Sequence, residues 1–444
     1  MDNQKIPKVS IFKFLGHARN ILKNPLPFHH RNFSEKGDTF RLQLGIRTSV
    51  IFSRDAGFLQ YVLQKNQKNY TKSTIQTVDL AKYVGRGLLT AEGSHWQKQR
   101  KMIQPAFHKK QLVNLLEAMQ NAIDVEIAKI ETHKAIDIFP IFNDLAFQTV
   151  AKALFSGGVT ASETNRLQYI TETAQKMLVK ELRQPFKIWW FKLSGKIKKH
   201  MDLVDEARAI LKQLVTRRIE SGKREDDLLD MLLDARYEDG TAMSEKQLLD
   251  EILILFTAGH ETTSNALTFT AELLARHPEI QDKVFQEVFE AQPIKEDLMS
   301  FLKVCPYTKQ VIEESMRLYP PAYFIDRVNH EADSFNEMEI EKGATLLFSL
   351  HEIHRDPRFW NEPDTFDPGR FAASNGLKYS EYYYPFGAGP RMCIGNNFAM
   401  YEMVLAIASL IFKFKIEEKK SPINITPLIT MKPKDAILRF EMRS

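Results

Sequence analysis

The run Pro385-Phe386-Gly387-Ala388-Gly389-Pro390-Arg391-Met392-Cys393-Ile394-Gly395 sets one of only two cysteines in 444 residues among glycines and an arginine. Glycines let a backbone pass close to a large flat group and adopt positive φ. The next stretch, Asn396 to Leu405, reads as the start of an apolar helix. Cys393 therefore precedes a helix N-terminus, where the backbone dipole favours a thiolate. A thiolate held among backbone N–H groups, facing a glycine-lined shelf, is what one axial ligand of a haem iron requires. A lone cysteine is more often a small buried hydrophobe. Here the spacing fits neither zinc nor disulfide arithmetic, and Cys305 has no CxxC partner.

Three further groups carry polar chemistry. In Leu255-Phe256-Thr257-Ala258-Gly259-His260-Glu261-Thr262-Thr263-Ser264 an acid stands beside two threonines in an apolar helical stretch. Gly259 weakens a helix, threonine hydroxyls bond back to carbonyls and bend it, and a buried Glu261 is costly unless paired or hydrated. Either the helix is kinked with its polar side on solvent, or the distortion makes a wet groove over a cofactor. Glu314 and Arg317 form an i,i+3 pair, ordinarily worth a few tenths of a kcal/mol on a surface. Trp96 and Arg100 share one helix face at i,i+4, in a segment that also reads as an exposed basic helix. His351-Glu352-Ile353-His354 is one residue short of a zinc-protease pattern, and the segment around His260 lacks its second histidine.

Phe386, Gly389, Arg391, Cys393 and Gly395 together resemble the haem-binding signature of the cytochrome P450 monooxygenases. Four further motifs follow the family's order, and the resemblance spans Thr39 to Phe440. It implies haem b as cofactor and Cys393 as its metal ligand, with Phe386, Gly387, Arg391 and Gly395 around it. Ala258, Gly259, His260, Glu261 and Thr262 match A-G-x-[D/E]-T. This implies that Thr262 hydrogen-bonds dioxygen and water while Glu261 relays protons to it; His260 is a packing or pocket-rim residue. Glu314, Arg317 and Arg370 match the E-x-x-R and P-x-R-F motifs, implying a buried network that locks the segment presenting Cys393. Trp96 and Arg100 match W-x-x-x-R and become donors to a haem propionate, with Arg391 and His95 as further candidates. Lys98, Lys101, Lys109 and Lys110 would make a cationic patch for an acidic electron donor, or a solvated face only.

The elements that must position these groups are mainly helical. Helical periodicity covers Glu117 to His133, Ile138 to Phe155, Ser162 to Lys180 and Leu203 to Ile219. Ser244 to Gln247 looks like a capping box opening a long helix that runs to about Arg276 before Pro278. Another helix starts at Cys305-Pro306 and ends at Pro320-Pro321. Thr39 to Leu44, Gly45 and Ser49 to Phe52 give a hairpin signal. From Asn361 to Met392 the chain is irregular and rich in Pro, Gly, Asp and aromatics. The resemblance implies the P450 fold: a mainly α single catalytic domain over residues 1–444. Its long central helix is joined by a small β-rich part at about residues 35–60, with strands from 320–350 and the C-terminus.

Hydrophobic content of 43% and charged content of 26% are ordinary for a soluble globular chain. A net charge of +5 is too small to imply nucleic acid. Two cysteines fit a reducing compartment. Met1 to Ser10 holds no apolar run of signal or anchor length, and Phe12 to Leu22 is broken by Lys13, His17, Arg19 and Asn20. The chain thus reads as a cytoplasmic monomer without a membrane anchor. No flavin domain is fused, so electrons come from a separate ferredoxin or flavodoxin and an NAD(P)H-dependent reductase.

By resemblance, substrate-facing residues include Asp79, His260, Phe324, Asp326 and Leu428, within segments 71–88, 177–190, 257–262, 322–327 and 427–431. Arg327 beside Asp326 also offers that carboxylate a plain ion pair. The chain is similar to bacterial members that demethylate an O-methylated sugar such as 6-O-methyl-galactose with release of formaldehyde, and to fatty-acid hydroxylases. Asp79, His260, Glu261 and Asp326 favour the sugar. A peroxide-driven enzyme or a haem-binding sensor is the alternative class; the intact Glu261-Thr262 pair argues against both.

Overall fold

Phe40, Leu42, Ile51 and Phe52 alternate or cluster so that one face of a hairpin is buried, and Thr39–Gln43 pairs antiparallel with Ser49–Ser53. The computed structural model describes residues 6–43, 49–373 and 381–443; the expected turn at Leu44 and Gly45 lies outside them. The strand Thr345–Ser349 adds parallel to Ser49–Ser53, and Phe324–Asn329 and Tyr70–Thr71 follow antiparallel. With Lys8–Val9 at the other edge they form a six-stranded sheet. Its core packs Phe58, Leu346, Phe348 and Leu350 with Tyr384.

The chain divides into two compact units. The first comprises Met1–Ser73, Gln310–Cys393 and Asn424–Lys434, and contains the sheet. It also holds the helix Pro306–Leu318 from Gln310 onward and the irregular segment before Cys393, whose residues 374–380 are outside the described set. The C-terminal strands Asn424–Pro427 and Met431–Lys434 pair with each other rather than with that sheet.

The second unit, Thr74–Lys309, Ile394–Ile423 and Asp435–Ser444, is mainly helical. Its centre is the 32-residue helix Glu245–Arg276, in which almost every residue from Leu248 to Ala275 is buried. Ser244 caps it by accepting from Gln247 N–H. Gln247 does not complete a reciprocal box: its side chain donates to the carbonyl of Arg86 at 2.8 Å and to Glu251 at 2.9 Å. The expected helices appear as Leu116–Ile127, Phe139–Phe155, Ala161–Arg183 and Lys196–Ser221. The first ends earlier than the periodicity suggested, and His133 beyond it has φ of +66°. The last begins seven residues sooner, with Ile197 and Met201 at i,i+4 packed against a buried cluster. A three-stranded sheet of Ala135–Asp137, Phe414–Ile416 and Ile437–Met442 completes the unit.

Candidate active site

The loop that carries Cys393 is shaped by its glycines. Gly387 and Gly389 have φ of +71° and +67°. A Cβ on Gly389 would stand 2.0 Å from the carbonyl oxygen of Leu63, so only glycine allows that close approach. A Cβ on Gly387 would meet nothing within 4 Å. The loop is closed by Cys393 N–H donating to the Phe386 carbonyl at 2.9 Å, and by Gly387 N–H donating to Tyr384 at 3.0 Å. Cys393 is exposed. Cys305, by contrast, is buried, and burial pushes its thiol up to about 12. An exposed thiol on a glycine shelf with open space beside Gly387 fits a flat, cysteine-ligated haem; the buried Cys305 does not.

Behind this loop lies a fully buried ionic cluster. Arg317 donates Nε to Glu314 Oε2 at 2.7 Å and Nη2 to Oε1 at 2.8 Å. Neither side chain has any exposed surface. Arg370 Nε reaches Glu314 Oε1 at 3.3 Å, and the Asp367 N–H donates to the same oxygen at 2.9 Å. Arg317 also donates Nη1 to the carbonyls of His354 and Pro363, both at 2.7 Å, and its guanidinium lies over Trp360. The expected three-residue network is therefore present, and it extends further. His354, whose burial lowers its pKa to about 3, stays neutral and accepts the Tyr384 N–H on Nε2 at 3.0 Å. His354 thereby connects Arg317 to the start of the cysteine loop. Sequence reading had used this histidine only to set zinc aside; its spacing carried no sign of the role.

In the second unit, the long helix is buried on both sides of one exposed stretch. Ala258 is exposed, and Gly259, Glu261 and Thr262 are half-buried. The helix is continuous through this stretch. Gly259 also has a packing reason: a Cβ would lie 2.8 Å from Val150 Cγ2 in the crossing helix Phe139–Phe155. Thr262 Oγ1 donates to the Ala258 carbonyl at 2.8 Å. Glu261 makes no side-chain hydrogen bond among the described residues, leaving its carboxyl open at the helix surface. His260 is buried, bonds the Phe256 carbonyl through Nδ1 at 2.8 Å and packs edge-on against Phe147.

Trp96 is buried and Arg100 half-buried on one face of the helix Gly93–Ile103, whereas His95 is exposed on another. Arg100 Nε donates to Gln104 at 3.2 Å. Lys98, Lys101, Lys109 and Lys110 are all exposed, and Lys101 pairs with Glu238.

An apolar pocket in this unit is lined by Leu80, Val84, Ile170, Leu178, Leu253 and Thr257. Asp79 is half-buried near it, its pKa raised by burial and by the charge of Glu181. In the first unit, Asp326 accepts from Ser73 N–H at 3.0 Å, and Arg327 donates Nη1 to the Asp326 carbonyl. Phe324 packs edge-on against His29, and the Leu428 carbonyl accepts from Tyr323 Oη at 2.6 Å. Of the segment 177–190, Met177 and Leu178 are buried, but Trp189 and Trp190 face outward.

Sequence reading also missed an acidic pair at the start of the long helix. Asp250 accepts from Arg86 N–H at 3.0 Å and from Arg208 Nη2 at 2.8 Å. Glu251 accepts from Leu88 N–H at 2.9 Å, and burial raises its pKa to about 7. Gly85 and Gly87 let the loop reach these carboxylates, because a Cβ at either would overlap them. Glycines spaced two apart were the only available signal.

A cytochrome P450 family profile matches residues 7–440, and the chain belongs to that family. It is 27% identical over 403 residues to pentalenene oxygenase of Streptomyces avermitilis, covering 90% of this chain and 89% of the relative. It is 28% identical over 410 residues to cyclooctat-9-en-7-ol 5-monooxygenase of Streptomyces melanosporofaciens, covering 90% and 87%. The solved structure of retinoic acid-bound cyanobacterial CYP120A1 superposes with a TM-score of 0.86 at 25% identity, covering the whole of both chains. The protein is thus a haem-thiolate monooxygenase with cysteine-ligated haem b.

Proposed function

We propose that residues 1–444 work as one catalytic domain that hydroxylates an apolar substrate of isoprenoid or fatty-acyl type. The observation that carries this reading is the exposed Cys393 thiol on a glycine-shaped loop, backed by the buried Glu314, Arg317, Arg370 and His354 cluster. Haem b supplies the activation of dioxygen and insertion of one oxygen atom into a C–H bond. Cys393 offers the thiolate. By the family motifs, Trp96, Arg100 and Arg391 are the residues that would hold the haem propionates. Glu261, open at the helix surface, picks up protons and passes them to Thr262 Oγ1, whose own hydrogen is committed to the Ala258 carbonyl.

The pocket supports the apolar substrate. Its lining is mainly aliphatic, and two of the four groups that favoured a sugar are engaged elsewhere: His260 with Phe147 and Asp326 with Ser73. At about 20 Å³ the pocket holds about one water, so a larger substrate must part the helices around it. The two relatives' names carry pentalenene and cyclooctat-9-en-7-ol, and CYP120A1 holds retinoic acid, all largely hydrocarbon, which agrees with this choice. Exposed Lys98, Lys109 and Lys110 suit an acidic donor such as a ferredoxin or flavodoxin.

The test is optical. Retinoic acid or laurate should shift the haem of the purified enzyme toward high spin, and 6-O-methyl-galactose should not; the reverse pattern restores sugar O-demethylation. Cys393→Ser should abolish the reduced carbon monoxide band typical of thiolate ligation.

A further inference from the structure

The turn just ahead of the long helix carries acid onto a basic face. Tyr237-Glu238-Asp239-Gly240-Thr241 follows the helix Leu228–Asp234 and precedes the cap Ser244. Asp-Gly is a turn pair, with glycine free to take positive φ, and Gly240 has φ of +82°. The Tyr237 N–H donates to the Thr241 carbonyl at 2.8 Å, and the Gly240 N–H donates to the Tyr237 carbonyl at 2.9 Å. Asp239 Oδ1 accepts from the Thr241 N–H at 2.9 Å and from its hydroxyl at 2.6 Å. Outside the turn, Arg236 and Ala242 pair as an antiparallel bridge. The turn is therefore a closed hairpin with its own internal bonds.

The hairpin is anchored to the helix Gly93–Ile103. Gln99, fully buried on that helix, donates Nε2 to Tyr237 Oη at 2.6 Å. Lys98 and Lys101 stand on either side of Gln99 in the chain, and both are exposed. Glu238 pairs with Lys101, and that ammonium holds its carboxyl below the usual carboxylate range. The Asp239 carboxyl is lowered by its bonds from Thr241 and then by the charge of Lys98. An exposed ion pair between two free side chains contributes little. An acid tethered beside a lysine nonetheless competes for it at an effective concentration of roughly millimolar order. Lys109 and Lys110, exposed on the next short helix Lys109–Leu112, make no ion pair among the described residues. The basic face is thus divided: Lys98 and Lys101 meet acids of the chain itself, and Lys109 and Lys110 stay open.

We propose that the hairpin 237–241 is a built-in competitor for an acidic electron donor. Glu238 and Asp239 take the place of the donor's carboxylates at Lys101 and Lys98, and Lys109 and Lys110 make the first contact with it. A donor that delivers electrons singly must leave between deliveries, and a competitor that retakes the lysines speeds its departure. The inference rests on the acidic-donor reading above.

The experiment is calorimetric titration of the haem-loaded full chain with an acidic plant-type [2Fe–2S] ferredoxin, at low and at high salt. Glu238→Gln/Asp239→Asn keeps the hydrogen-bond acceptors of the hairpin and removes its charge. This variant should bind ferredoxin about two- to fivefold tighter than wild type at low salt and lose the gain at high salt. Lys101→Gln should weaken binding by less than about twofold in wild type. In the acid-free variant the same change should cost about threefold or more, a difference that net charge alone does not produce. Equal costs in the two backgrounds overturn the competitor, and so does an acid-free variant that binds no tighter than wild type. In either case Lys109→Glu/Lys110→Glu still weakens binding at least about fivefold, and the donor reading survives. If that lysine variant binds as well as wild type, or wild type binds no ferredoxin, the donor reading fails and the competitor with it.

Discussion

At the scale of residues, the cysteine site depends on groups that never touch the substrate. Glu314 is the common acceptor for Arg317, Arg370 and the Asp367 amide, with no exposed surface. Breaking a buried pair costs far more than the pair itself is worth, since it leaves charge unpaired out of water. Glu314→Ala should therefore lower stability by about 3–5 kcal/mol in urea unfolding and reduce haem retention. An exposed i,i+3 pair would move stability by only a few tenths of a kcal/mol. The sequence showed the pair; only burial raised it from surface decoration to a keystone.

At the scale of elements, the long helix is tied at its start to the loop carrying Gly85 and Gly87. Glu251 holds the Leu88 N–H from a buried position, beside Asp250 and the side chain of Gln247. Arg208 is the cation paired with Asp250, which also accepts from the Arg86 backbone N–H. The Glu251 folded pKa of about 7 is above its ordinary value of 4.5, so the folded state holds the proton more tightly. Its stabilising effect is complete below about 4.5 and is lost as pH rises through about 7. The change is roughly 3 kcal/mol at most. Glu251→Gln keeps the shape and removes the titration. Urea midpoints measured from about pH 5 to about pH 8 should lose this downward slope in the variant; an unchanged slope would refute the assignment.

Across the whole molecule, buried groups answer pH with opposite sign. In the first unit, His29 and His354 are buried with folded pKa values of about 3, below the ordinary 6.5. The unfolded chain takes up their protons first, so their contribution is present above about 6.5 and is lost as pH falls toward about 3. In the second unit, Glu251 acts in the other direction, and burial likewise raises the pKa of Glu402. Amide exchange followed by mass spectrometry should show the sheet Thr39–Gln43 and Ser49–Ser53 opening first on acidification. Loss of protection in the loop at Gly85 and Gly87 before that sheet would contradict it.

Much of the site was legible because its spacing is local. A helix sets residues three or four apart on one face, so Glu314 with Arg317 and Trp96 with Arg100 were readable as pairs. Glycines at fixed places around a cysteine likewise announced a backbone under constraint. Contacts between distant segments left no such mark. His354 meets the Tyr384 amide, Gly259 meets Val150, and Asp250 and Glu251 meet the loop at Gly85 and Gly87 only once the chain has folded. Gly259 shows the difference most clearly: its residue type suggested a bent helix, and packing showed that a continuous helix has no room there for a Cβ. The direction of each ring at Trp189, Trp190 and Phe191 was equally a tertiary decision, because apolar residues in succession do not say which of them faces the core. The sequence by itself determined the cysteine, its glycine shelf and the reaction class. Tertiary structure decided which charges are buried and which rings face outward, because both depend on what distant parts of the chain bring beside them.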